Sequence, residues 1–322
     1  MGDEGASTAL PSLLSRSSVV LFGDSLTQRG FDGGAGWATA VARYFGRRAD
    51  VYNRGYGGYN VRWASVMAPS LFPAPALGAA GRHLLIVVWF GANDAAAPGE
   101  RAHVPLEEYE RSLDALVGRA VACAGRVIVL TPPPVHGPTR LAFQRRRYGA
   151  AATGVLERTT ARAASYGAAA LRVARRRGAA AVDVGAAMAA SEDWPRLVGA
   201  GTADGDGLHL SDAGQAFVAD QVLSALPGLG LAKDDLPYEY PWGFEVDAAA
   251  PEASLRAHAG KHGPRLLAGS GLRLPGGPPG RAPPLSRLAT SPAATAFVAG
   301  LACGAYLLHL LARRPRRARR GV

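Results

Sequence analysis

Cysteine is scarce in this chain of 322 residues, which carries two, Cys123 and Cys303. Two cysteines at that spacing build no disulfide framework, a usage that suits a reducing compartment, and each reads as a small buried hydrophobe rather than a nucleophile. Acidic residues are missing from Lys261 to the end, where 11 of the 36 Lys and Arg lie. The 25 basic residues upstream balance the 25 acidic ones, so residues 1–260 are neutral. The net charge of +11 therefore belongs to a tail, and the globular part lacks the basic footprint of a nucleic-acid binder. The start, Met1-Gly2-Asp3-Glu4, has neither the basic n-region nor the long apolar core of a secretory signal. Ala6 stands where a myristoylation pattern needs Ser or Thr.

What is present is alternation. Short apolar runs at Val19–Phe22, Asp50–Asn53, His83–Trp89, Arg126–Thr131 and Ala180–Val184 read as strands covered on both faces. Between them, helices are expected over Trp37–Phe45, Asn60–Met67, Pro105–Ala124, a long Ala/Arg-rich stretch Tyr148–Arg177, and Ser211–Leu226 with Ser211 as N-cap. This order predicts an α/β fold with a parallel five-stranded sheet and right-handed crossovers. The triplets Arg145-Arg146-Arg147 and Arg175-Arg176-Arg177 at the ends of the long stretch read as solvated helix ends that complement the helix dipole, in preference to a phosphate site.

Past Trp242 the alternation stops. The expected organisation is an N-terminal tail (1–15), a globular domain (16–260), a Gly/Pro-rich linker (261–292), an apolar segment (293–312) and a basic tail (313–322). The apolar segment holds about twenty residues without a formal charge, enough at about 1.5 Å per residue to span the ~30 Å of a bilayer core. Six arginines follow it. It reads as a single C-terminal transmembrane helix, a tail anchor that leaves the domain facing the cytosol. The membrane would be mitochondrial outer, peroxisomal or endoplasmic reticulum, and the alternative is a cytoplasmic protein. Gly300 and Gly304 have the GxxxG spacing through which two such helices could pair as a homodimer.

The chemistry lies in four segments, each after a different strand. Gly23-Asp24-Ser25-Leu26 puts a serine on the turn after the first strand, at the sheet edge where open α/β folds bind ligands. A serine hydroxyl needs an adjacent base. Asp206-Gly207-Leu208-His209 supplies one, with His209 to take the proton and Asp206 to hold its tautomer and stabilise the imidazolium. Asn53-Arg54-Gly55-Tyr56-Gly57-Gly58 brings a glycine amide, favoured as Gly58 with Gly57 the alternative. Gly91-Ala92-Asn93-Asp94 brings the Asn93 amide, a neutral donor suited to an oxyanion. Asp24 and Asp94 read as acids that position loops. The other histidines, His83, His103, His258 and His262, are weaker candidates, and for His136, after Pro132-Pro133-Pro134 on the same sheet edge, lining the pocket is the lesser of its two readings.

The blocks carrying Ser25, Gly58, Asn93 and His209 resemble the SGNH (GDSL) hydrolase superfamily. Asn53-Arg54-Gly55, Tyr59-Asn60, Arg62-Trp63-Ala64, Phe90 to Asp94, Pro105-Leu106-Glu107-Glu108-Tyr109 and Thr131-Pro132-Pro133-Pro134 are similar to its isoamyl-acetate-hydrolysing esterase branch. The likeness covers about Val19–Leu226, with an echo at Leu236-Pro237-Tyr238. It departs from the common pattern at Gly57, where relatives often carry serine, and in its C-terminal extension. The resemblance implies a flavodoxin-like three-layer α/β/α sandwich and a metal- and cofactor-free Ser25-His209-Asp206 triad. It also implies an oxyanion hole made of Ser25, Gly58 and Asn93. The activity it implies is hydrolysis of short acyl, acetyl-type esters through an acyl-serine. Alternatives are a membrane-tethered lysophospholipase or thioesterase and, outside enzymology, a tail-anchored scaffold binding lipid or a partner. The expected partners are a small-molecule or lipid ester and a membrane, with no nucleic acid.

Overall fold

The computed structural model describes residues 16–72 and 83–258. The strands are β1 (Ser18–Gly23), β2 (Asp50–Gly55), β3 (His83–Trp89), β4 (Ala124–Leu130) and β5 (Ala180–Val182). They form one sheet in the order β2-β1-β3-β4-β5, every pair parallel. This is the flavodoxin-like order, with its reversal between β1 and β3.

Both faces of the sheet are covered, and the strand period of two divides each strand between them. Val19 and Leu21, Leu85 and Val87, and Ile128 and Leu130 point into one core. Val20 and Phe22, Ile86 and Val88, and Val127 and Val129 point into the other. The first core is closed by α2 (Trp37–Tyr44), α7 (Val184–Ala189), α8 (Trp194–Leu197) and α9 (Asp212–Ala225). The second is closed by α3 (Val61–Leu71), α4 (Leu106–Cys123) and α6 (Thr160–Arg177). Cys123 is buried in that second core. Two further α-helices are α1 (Ser25–Gln28) and α5 (Gly137–Tyr148).

Two expectations are corrected, and a third, that the arginine triplets are helix ends, holds with a different assignment of helices. The stretch Tyr148–Arg177 is not one helix. α5 ends at Tyr148, a loop follows, and α6 begins at Thr160 behind Thr159, whose side chain accepts from the Arg162 amide. Gly149 and Gly154 sit at positive φ in that interval and break the helix. The last strand ends at Val182, because Asp183 caps α7 by accepting from the Ala186 amide. The two arginine triplets are the last turns of two different helices, α5 and α6. Of them, Arg176 and Arg177 pair with Asp114 on α4 rather than standing free for a phosphate.

Beyond α9 the chain returns to the amino-terminal edge of the sheet. Arg48 donates to the Leu236 carbonyl (2.9 Å) and lies 4.0 Å over the Tyr238 ring. Arg16 bridges Asp50 and Glu239. The echo at Leu236-Pro237-Tyr238 thus packs against the edge opposite the chemistry. Among the described residues no helix is long and apolar enough to cross a membrane. The expected N-terminal tail, linker, apolar segment with Cys303, Gly300 and Gly304, basic tail and His262 lie outside the described residues.

Candidate active site

From β1 the chain steps to β2 on one side and then to β3 on the other. The two following loops part at the carboxyl ends of β1 and β3 and leave a crevice there. Ser25 follows β1, Gly58 follows β2 and Asn93 follows β3. The Asp206–His209 turn comes back to the same rim from the loop between α8 and α9.

Ser25 is the first residue of α1, behind Asp24, whose Oδ1 accepts from the Leu26 amide (2.9 Å). Its Oγ lies 2.8 Å from Nε2 of His209, although 184 residues separate them. Nδ1 of His209 lies 2.7 Å from Oδ2 of Asp206. Asp206 Oδ1 accepts the amides of Leu208 (3.0 Å) and His209 (2.8 Å), which closes the turn and aims the ring. Gly207 sits inside that turn at φ +72°, where a Cβ would stand 2.6 Å from the His136 carbonyl oxygen, so no side chain fits. Ser211 caps α9 by accepting from Gly214 (3.2 Å), which fixes the far side of the turn. Burial by itself would raise the Asp206 carboxyl. The hydrogen bond and charge of His209, with the two amides, outweigh it and hold the group below the usual carboxylate range. The arrangement fits an ionised acid that orients a histidine base.

The amide donors differ in what occupies them. Gly57 N–H donates to Gln28 Oε1 at 2.6 Å and is spent. Gly58, at φ +79° with open space where a Cβ would be, has no acceptor for its N–H among the described residues. This separates the two glycines that the sequence left open. Ser25 N–H, in the first turn of α1, has no helical acceptor. Asn93 donates one Nδ2 hydrogen to the Tyr59 carbonyl (2.9 Å), and its Oδ1 accepts from Arg158 Nη2 (3.0 Å). The second Nδ2 hydrogen is left over. Together these groups offer three donors on the loops that follow β1, β2 and β3.

Asp24 and Asp94 lie fully buried beside these loops. Asp94 Oδ1 accepts the Val61 amide (2.8 Å) and so ties the Asn93 loop to the start of α3. The second oxygen of each acid has no protein partner. Burial pushes both carboxyls up to about 7, and the charge of Asp24 adds to the shift of Asp94. An acid whose pKa is higher folded than unfolded binds extra protons in the native state, here between about pH 4 and pH 7. Stability therefore falls as pH rises through that window and levels off above it. Asp94→Asn keeps the acceptor for Val61 but removes the charge. Its urea midpoint is expected to vary less than wild type between pH 5 and pH 8, with a gain at pH 8 on the order of 1 kcal/mol or more. A variant with the wild-type slope would contradict this.

His136 approaches the triad turn through its backbone, its N–H bonding the Gly207 carbonyl (2.9 Å). Its ring contacts Thr139 Oγ1 (2.8 Å) and packs edge-on against Trp194. Nδ1 of His103 contacts the Ala96 carbonyl (2.8 Å), and Nε2 of His258 the Tyr238 carbonyl (3.0 Å). A second Ser–His contact, Ser18 Oγ to His83 Nδ1 at 2.7 Å, joins the first residues of β1 and β3. It sits at the amino edge of the sheet, across from the amide donors, and so cannot share their oxyanion chemistry. Arg140, Glu157 and Arg158 contact the site and are missed by sequence reading. Arg140 donates to Asp206 Oδ2 (3.0 Å), the oxygen that also faces His209. Glu157 and Arg158 lie in the loop taken for helix interior, where charged residues read as a solvated face. No local motif marks them. Among the described residues no cluster of acids, histidines and cysteines could hold a metal ion.

Residues 21–217 match the GDSL-like Lipase/Acylhydrolase family. A GDSL esterase/lipase of Arabidopsis thaliana is 34% identical over 245 residues, covering 74% of this chain and 98% of that protein. The isoamyl acetate-hydrolyzing esterase 1 homolog of Mus musculus is 35% identical over 244 residues, covering 74% and 91%. Among solved structures, a lipase/acylhydrolase from Enterococcus faecalis superposes with a TM-score of 0.51 at 20% identity, covering 69% of this chain and 98% of its own. That likeness concerns the fold.

Proposed function

Because this chain belongs to the GDSL-like Lipase/Acylhydrolase family and is a carboxylic ester hydrolase, we propose that it cleaves short acyl, acetyl-type esters through an acyl-serine. The observation that carries the mechanism is the Ser25–His209–Asp206 relay, 2.8 Å and 2.7 Å between successive partners. Ser25 Oγ attacks the acyl carbon as its proton passes to Nε2 of His209. The carbonyl oxygen takes the electron pair and is held by Ser25 N–H, Gly58 N–H and the free hydrogen of Asn93 Nδ2. Asp206 stabilises the imidazolium. Collapse of the tetrahedral species expels the alcohol, which leaves with the proton from His209. Water, deprotonated by the same imidazole, then releases the acid and restores Ser25.

The short-acyl preference draws on the likeness to a protein named for isoamyl acetate hydrolysis. The cleft beside His209 is lined by charged and apolar side chains together, Arg29, Asp32, Arg196 and Asp204 with Phe143 and Leu210. A series of p-nitrophenyl esters from acetate to dodecanoate tests the preference. The expected kcat/KM is highest at two to four carbons. A maximum at eight or more would overturn the short-acyl reading in favour of a lysophospholipase or thioesterase.

The same reading includes a membrane tether at 293–312, supported by the uncharged run and the arginines that follow it. A fluorescent fusion carrying residues 284–322 is expected on an intracellular membrane. A diffuse signal would remove the tether and leave the hydrolase untouched.

A further inference from the structure

Beneath the two halves of the site runs a continuous chain of buried charges. Arg140 donates from Nη1 to Asp206 Oδ2 (3.0 Å) and from Nε to Glu157 Oε1 (2.6 Å). The same Glu157 oxygen accepts from Arg158 Nη1 (3.0 Å). Arg158 then donates from Nη2 to Asn93 Oδ1 (3.0 Å) and from Nε to the Ala92 carbonyl (3.0 Å). The side chains are nearly enclosed, with 7% of Arg140, 11% of Glu157, 13% of Arg158 and 9% of Asp206 exposed. The charges alternate in sign and cancel.

Buried ion pairs are a poor source of stability, because the cost of desolvating the charges offsets most of their attraction. Geometry gives this chain another use. An amide side chain such as Asn93 can turn over, presenting either its oxygen or its nitrogen to a cleft. With Arg158 on Oδ1 and the Tyr59 carbonyl on one Nδ2 hydrogen, a single orientation remains, and it leaves the second hydrogen to donate. At the other end Arg140 holds Oδ2 of Asp206 in the rotamer that faces Nδ1 of His209. A rigid guanidinium suits both tasks because it donates in two directions at once.

We propose that Arg140 and Arg158, bridged by Glu157, are positioning residues that aim the triad acid and the oxyanion amide from one shared buried strut. The proposal rests on the oxyanion role of Asn93 and the orienting role of Asp206 given above. It assigns function to three residues of two elements, α5 and the loop before α6, that bear no part of the reaction themselves.

Double-mutant cycles on the full chain, with p-nitrophenyl acetate as substrate, test it. Arg158→Met is expected to lower kcat about 10- to 100-fold with KM within about twofold, as a misaimed donor is lost only in the transition state. In an Asn93→Ala background the same change should cost less than about twofold, because the group it aims is gone. Arg140→Met should behave likewise against Asp206→Asn. Arg158→Lys keeps a charge beside Glu157 without the fork, so it serves if Arg158→Met does not fold, and its loss should also vanish beside Asn93→Ala. Losses that multiply undiminished in the double variants, or an unchanged kcat in the singles, would overturn the strut. An Asn93→Ala enzyme with wild-type kcat would instead overturn the oxyanion assignment on which the strut depends.

Discussion

Ser25→Ala is expected to lower kcat on p-nitrophenyl acetate by about 10⁴- to 10⁶-fold. Among the described residues the side-chain partner of Ser25 Oγ is Nε2 of His209. Removing the oxygen therefore takes away the nucleophile and little else. The α1 cap is made by Asp24 and the fold by residues on both sheet faces, so the melting temperature should stay within a few degrees of wild type. KM should change little, since the amide donors and the cleft remain. A fluorophosphonate probe should label the wild type at Ser25 and leave the variant unlabelled. Clean variant protein that turns over at the wild-type rate would end the acyl-serine mechanism, whatever the family resemblance.

Asp206→Asn is expected to cost about 10⁴-fold in kcat while the protein stays folded. The substitution is isosteric, and an Asn Oδ1 can still accept the amides of Leu208 and His209 that close the turn. What changes is the other end. A carboxylate facing Nδ1 favours the ring proton there, which leaves Nε2 to receive the one from Ser25. An amide nitrogen facing Nδ1 would instead donate to it and move the ring proton to Nε2, where it blocks the base. An amide oxygen facing Nδ1 would keep the tautomer yet give no charge to the imidazolium. Circular dichroism and melting distinguish this from unfolding. Fluorophosphonate labelling of Ser25 should slow in parallel with kcat. A loss below about tenfold would show that His209 works without its acid.

Much of this site was legible in the sequence, because each block carries its own local chemistry. Gly23-Asp24-Ser25 is a strand ending on a capped turn, and Asp206-Gly207-Leu208-His209 is a turn whose carboxylate reaches amides two and three residues on. Such contacts are made within a few residues and leave a pattern that can be read. The choice between Gly57 and Gly58 was not of that kind. It depends on Gln28, whose carboxamide reaches across 29 residues to occupy the Gly57 amide. The loop between α5 and α6 was misread because its alanines suit a helix, and its two glycines at positive φ look innocuous in an alanine-rich stretch.

The sequence by itself determined the class of fold, the succession of its five strands, and which side chains could serve as nucleophile, base, acid and oxyanion donor. Apolar periodicity, caps and turn chemistry are local and act before the chain has closed on itself. Only the tertiary structure decided which amide stays free, which way the Asn93 carboxamide faces, and that Arg140, Glu157 and Arg158 stand behind the site. Those outcomes arise where segments from separate crossovers meet in a space closed to water. There an unpaired polar group is costly, so each donor takes whatever acceptor the packing has brought beside it.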